Sequence, residues 1–126
     1  MNPLAVLAAA VLIAHLVWVA WVVLGWLATR DRPWLRWAHM TSVVWVALVE
    51  VGPWPCPLTI LEQRLQLSAG QTPYRGSFIV HYLEAFVYPD LPSWLLTWFG
   101  LAICAVVFVI DLRQFRRERR VRESAR

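Results

Sequence analysis

The chain contains no lysine, only two cysteines and, from Met1 to Thr29, no charged side chain at all. Each shortage excludes something. Cys56 and Cys104 alone cannot supply the disulfide framework on which short secreted mini-proteins depend. Charged residues are 16% of the chain, against about a quarter in soluble domains, while hydrophobic residues reach 60%. The uncharged opening run is long enough to cross a bilayer, which takes about 20 apolar residues. It holds one ionisable group, His15. A length of 126 residues suits one compact unit.

What is abundant agrees. Nine tryptophans suit headgroup boundaries, where indoles collect. Seven of the twelve arginines fall between Arg113 and Arg126, so the net charge of +4 is local to one end. No aromatic platform, zinc pattern or groove-reading helix accompanies that basic tail, so no nucleic acid is expected as a partner. Beside an apolar span, such a tail reads as a cytoplasmic anchor. Arg113, Arg116, Arg117, Arg119 and Arg120 would meet anionic headgroups there. Twelve arginines without a lysine fit a GC-rich bacterial gene. The first segment lacks a positive n-region and an evident cleavage site, and is expected to be a retained helix.

Threading follows from the breakers. Residues 4–28 form a first span of about 37 Å, ended by Arg30, Asp31, Arg32 and Pro33. Residues 37–51 form a second, closed by Gly52-Pro53-Trp54-Pro55, and residues 93–110 a third, with Ser93 as N-cap and Asp111 marking the exit. Between them, residues 57–67 and 77–88 are amphipathic helices of about 17 Å, too short to span. Three spans put the arginines of the first loop and of the tail on one side, as the positive-inside rule requires. The reading is therefore an all-α integral membrane bundle in the bacterial inner membrane, N-terminus outside and C-terminus cytoplasmic. An outer cap over 54–92 and a basic tail over 111–126 complete it. A fourth inserted helix over 77–88 would instead give a four-helix bundle and move the tail across.

Ionisable groups at membrane depth are costly and face the interior. His15 and Glu50 each lie about 19 Å from the cytoplasmic side, which permits a hydrogen bond or ion pair between them. His39 shares a helical face with Glu50 but sits near the cytoplasmic interface, where an exposed imidazole is unremarkable. Thr97, Gly100, Cys104, Val107 and Asp111 make one stripe facing the other spans, small residues allowing close approach. Asp111 is expected to pair with Arg30 or Arg36. In the cap, Cys56 opens a helix that carries Thr59 and Glu62, while His81 and Glu84 share a face of the next. Cysteine, histidine and two glutamates could ligate a metal. However, His-x-x-Glu arises often by chance; a site for a small molecule or lipid headgroup is a second alternative, and a hydrogen-bonded cap without cofactor is the simpler reading. Cys56 and Cys104 are not expected to pair, because Cys104 lies about 15 Å below the outer boundary.

Cys56-Pro57-Leu58-Thr59 with Glu62, then Tyr74-Arg75-Gly76-Ser77-Phe78-Ile79 with His81-Tyr82, and Trp37-Ala38-His39 form a combined pattern. Together they resemble the small bacterial membrane proteins grouped as domain of unknown function 2784. The resemblance runs to about Asp111 and implies a compact multi-helix membrane unit. It supplies no activity, and it points to His39, Cys56, Glu62 and His81. Function is accordingly expected to be structural or accessory, with enzyme activity left open, alone, as a homo-oligomer or within a larger membrane complex. The alternatives are a metal- or haem-dependent redox protein using the His, Cys and Glu residues, or a subunit of a small-solute transporter.

Overall fold

A computed structural model describes residues 2–73, 81–82, 85 and 92–126 of the protein. These residues contain four helices and no strand: α1 (Pro3–Ala28), α2 (Pro33–Val51), α3 (Pro57–Ser68) and α4 (Ser93–Ser124). The second short helix expected over 77–88 falls largely outside the described residues, as does Glu84.

Proline sets three of the starts. Pro3, Pro33 and Pro57 each occupy the first turn of a helix, where the missing N–H leaves nothing unpaired. Asn2 caps α1 by accepting the Leu4 N–H at 3.0 Å. α4 begins at Ser93 with Pro92 in the cap position, so the expected N-cap is one residue late. α3 ends where Gly70 adopts φ 77° and Gln71 N–H donates to Gln66 O, a left-handed stop that favours glycine.

α1 and α2 are antiparallel neighbours joined by a tight turn at Thr29–Arg32, and α4 packs on both. Val22, Val43, Cys104 and Val107 form the buried centre, with Trp21, Trp26, Ile103 and Phe108 around it. α3 packs against α1. Its start is beside the middle of α1, with Cys56 Sγ 4.0 Å from His15 Nε2. Its end is beside the α1 N-terminus, where Asn2 Nδ2 donates to Ala69 O at 3.5 Å. Thirteen residues separate each pair of markers on both strands of the chain, so α3 stands antiparallel along the N-terminal half of α1.

The last helix also exceeds its expected span: Asp111 is no helix end, and α4 continues unbroken to Ser124. α1 and α4 are long and apolar enough to cross a membrane, with mean hydropathy of 2.5 and 2.4 over their most apolar windows. Only 17% and 22% of those windows are buried, unlike the core helices of a soluble protein. Ile13, Val17 and Leu24 on α1, and Trp98, Phe99 and Val106 on α4, remain exposed. An apolar surface on this scale suits lipid or another protein, not water. α2 has spanning length but a lower hydropathy, because Arg36, His39 and Glu50 interrupt it.

Candidate functional site

Two polar clusters occupy the bundle. The first lies towards the α1–α2 turn and centres on His39, which is fully buried. Its Nδ1 is 2.6 Å from Asp111 Oδ2, and its Nε2 is 3.1 Å from both Trp21 O and Val22 O. Carbonyl oxygens only accept, so Nε2 carries hydrogen and donates to them. The Nδ1 to Oδ2 contact needs one further proton between its two atoms. The pair therefore holds that proton and is net neutral, which is what lets both side chains sit away from solvent. Gly25 makes room for the ring: a Cβ there would fall 2.7 Å from His39 Nε2 and nearer still to Cδ2. Trp21 stacks edge-on against the imidazole at 5.2 Å and donates its Nε1–H to Ser42 Oγ at 3.3 Å.

One turn nearer the α1–α2 turn, Arg36 is 1% exposed. Its Nη2 donates to Thr29 O at 2.9 Å, to Arg30 O at 3.0 Å and to Glu118 Oε1 at 2.9 Å. Its Nη1 lies 2.7 Å from Glu118 Oε2, a second ion-pair contact beside the Nη2 hydrogen bond. Trp37 meets Phe115 edge-on at 5.6 Å beside it. The last helix is thus bolted to the turn at two heights.

These contacts correct the sequence reading. Asp111 pairs with His39, while Arg36 pairs with Glu118 and Arg30 lies over the Trp26 ring at 6.0 Å. His39 is no exposed interfacial imidazole, because α1 and α4 close over it. The expected inward stripe of α4 holds at Cys104, Val107 and Asp111, all buried, whereas a Cβ on Gly100 would meet nothing within 4 Å.

The second cluster surrounds a cavity of about 420 Å³ between α1, α2 and α3, with Thr97 of α4 at its edge. His15, Glu50, Cys56 and Thr59 all line it, as do Gln63, Trp18, Trp45 and Trp54. His15 and Glu50, levelled by the depth count, both line this cavity, where Cys56 Sγ lies 4.0 Å from His15 Nε2. Cys56 and Cys104 are both free thiols. Behind the cavity Glu62 is fully buried, accepting from Gln66 Nε2 at 3.1 Å and from the Tyr82 hydroxyl at 3.2 Å. Burial first, and the Glu62 charge second, push the Tyr82 phenol above its ordinary value of 10.0. His81 stands edge-on to Tyr82 at 4.9 Å. Among the described residues no three His, Cys, Asp or Glu side chains converge as metal ligands.

Of the basic candidates, Arg117 lines a second cavity with Arg30, Arg36 and Arg122, and Arg119 lies over the Phe115 ring at 5.4 Å. Sequence reasoning missed Glu118 and Gly25 altogether. Glu118 is seven residues, or two turns, beyond Asp111, a spacing that puts the two carboxylates on one face once the helix is continued past Asp111.

Fold and site together define an all-helical chain with two helices apolar enough for a membrane and two interior polar clusters. The chain belongs to the family described as Protein of Unknown function (DUF2784), which matches residues 5–115. No curated protein and no solved structure matches the chain.

Proposed function

We propose that the chain is a three-span protein of the bacterial inner membrane, N-terminus outside and C-terminus cytoplasmic, with a structural or accessory role. The single observation that carries the role is a set of ion pairs between helices: fully buried His39 with Asp111, and buried Arg36 with the part-exposed Glu118. Each pair joins helices that lipid alone would not hold together, since hydrocarbon offers no hydrophobic drive between apolar helices. Neither His39 nor Asp111 lines the two cavities described above, so a substrate has no approach to them there.

The threading has its own support. The Arg36–Glu118 pair holds the arginines of the α1–α2 turn beside the arginine-rich end of α4, and the positive-inside rule places such a common end in the cytoplasm. α2 is about 28 Å long, close to the hydrocarbon thickness, with Arg36, His39 and Ser42 turned to α1 and α4. α3, standing along the outer half of α1, dips into the outer leaflet instead of resting on it. Arg113, Arg116, Arg117, Arg119 and Arg120 meet anionic headgroups, each adding about 1 kcal/mol. The apolar faces left bare on α1 and α4 are covered by lipid, by further copies of the chain or by a larger complex.

The test is an absorption spectrum with metal analysis on the protein purified in detergent. A colourless, metal-free protein that retains its fold is the expected result. A haem band or stoichiometric metal overturns the accessory role in favour of redox chemistry.

A further inference from the structure

Glu50 sits in the last turn of α2, and no ion pair or hydrogen bond joins it to another described residue. Glu50 is half-buried near the outer end of α2, and a carboxylate so placed favours a cation beside it. The cavity it lines has walls that include Trp18, Trp45 and Trp54, themselves 36%, 50% and 69% exposed, and indole is the aromatic side chain that attracts cations best. Thr59, 3% exposed in the same wall, has a hydroxyl oxygen with no hydrogen-bond partner among the described residues. No arginine lines this cavity, and His15 is its one basic side chain among the described residues. Such a wall disfavours anions, and a purely apolar guest would leave Glu50 and Thr59 unmet.

We infer that this cavity is a receptor for an organic ammonium cation, with Glu50 as counter-charge, the three tryptophans as the aromatic wall and Thr59 as a hydrogen-bonding group. The volume lies within the range of small-molecule sites, roughly 300 to 1,000 Å³, and a tetramethylammonium or choline ion is smaller than it. The cation is either a free solute or the ammonium headgroup of a phospholipid from the outer leaflet. The inference rests on the membrane reading only for the cost of leaving Glu50 unmet. Binding is measured on purified protein without reference to topology, so either can fail without the other.

The experiment is calorimetric titration of the full chain, in nanodiscs of phosphatidylglycerol alone, with choline chloride and with its neutral isostere 3,3-dimethylbutan-1-ol. Saturable one-to-one binding of the cation, and none of the alcohol, is expected. Glu50→Gln should weaken it at least about tenfold, the loss of a charged contact, and Trp45→Leu by about threefold or more. A second readout covers variants that fold poorly: in the otherwise unaltered chain, choline should slow alkylation of Cys56 by N-ethylmaleimide. Repeating the titration in nanodiscs containing phosphatidylethanolamine separates the sources. Suppressed binding assigns the site to the lipid headgroup, and unchanged binding assigns it to a free cation. The inference is overturned if no cation binds up to about 10 mM and Cys56 is unprotected. Equal binding of the alcohol, or unchanged binding by Glu50→Gln, also overturns it.

Discussion

His39 Nδ1 lies 2.6 Å from Asp111 Oδ2 with both side chains wholly buried, joining α2 to α4 across 72 residues of sequence. Because both ring nitrogens face acceptors, the pair must hold one shared proton, and breaking it strands either a charge or a hydrogen-bonding group in the interior. His39→Leu or Asp111→Leu should therefore each lower stability by about 3 to 5 kcal/mol. The double replacement should cost less than the sum, since an apolar pair leaves nothing stranded. Unfolding midpoints in detergent across the four variants check this. Additive losses would show that the two residues do not act as a pair.

Gly25 is required by that same ring. Gly25→Ala pushes a methyl group into His39 Nε2 and Cδ2 and should cost about 1 to 3 kcal/mol, as overpacking does. In a His39→Ala background the same substitution should cost almost nothing, because the obstructing ring is gone. An equal loss in both backgrounds, measured by the same unfolding midpoints, would place the cost elsewhere.

Arg36 contacts both carboxylate oxygens of Glu118 and also holds the carbonyls of Thr29 and Arg30. Lysine presents one point charge and cannot reproduce this fork. Arg36→Lys should retain only part of the stability, falling about 1 to 3 kcal/mol below the parent. Glu118→Gln, whose side chain is 34% exposed, should lose no more than about 1 kcal/mol. Thermal unfolding of both variants tests the order.

Tyr82 gives a pH dependence with a definite sign. Its phenol is pushed above 10.0 in the folded chain, so folding holds that proton more tightly than the unfolded chain does. The contribution is fully present below pH 10 and is lost as pH rises through the raised value. Melting in detergent between pH 9 and about 11.5 should fall more steeply for the parent than for Tyr82→Phe. Parallel curves would contradict the assignment.

How far the residues announced this arrangement varies by element. α1 and α3 were legible nearly to the residue, because Pro57, the breakers at residues 30–33 and Ser68-Ala69-Gly70 are strong local punctuation. Counting 1.5 Å steps from a common end put His15 level with Glu50; both line one cavity, but the bond between them that the count allowed is not among the described contacts. The His39–Asp111 pair did not follow, although the same count applies to it. Treating Asp111 as the exit of its helix gave it an arginine partner and left His39 at the surface. A run of arginines looks like a solvated tail, yet it continues α4 and carries Glu118 back to Arg36. The placement of α3 along α1 was equally hidden, since amphipathic spacing says which face is apolar and not what that face meets.

The most direct test of the account is the side of the membrane on which each end of the bundle lies. In a Cys56→Ser, Cys104→Ala background, single cysteines are introduced as Asp31→Cys, Gly70→Cys and Arg126→Cys and labelled with a membrane-impermeant maleimide. The account predicts that Gly70→Cys labels in intact spheroplasts, while Asp31→Cys and Arg126→Cys label only after lysis. Labelling of Asp31→Cys and Arg126→Cys on opposite sides of the membrane would contradict it.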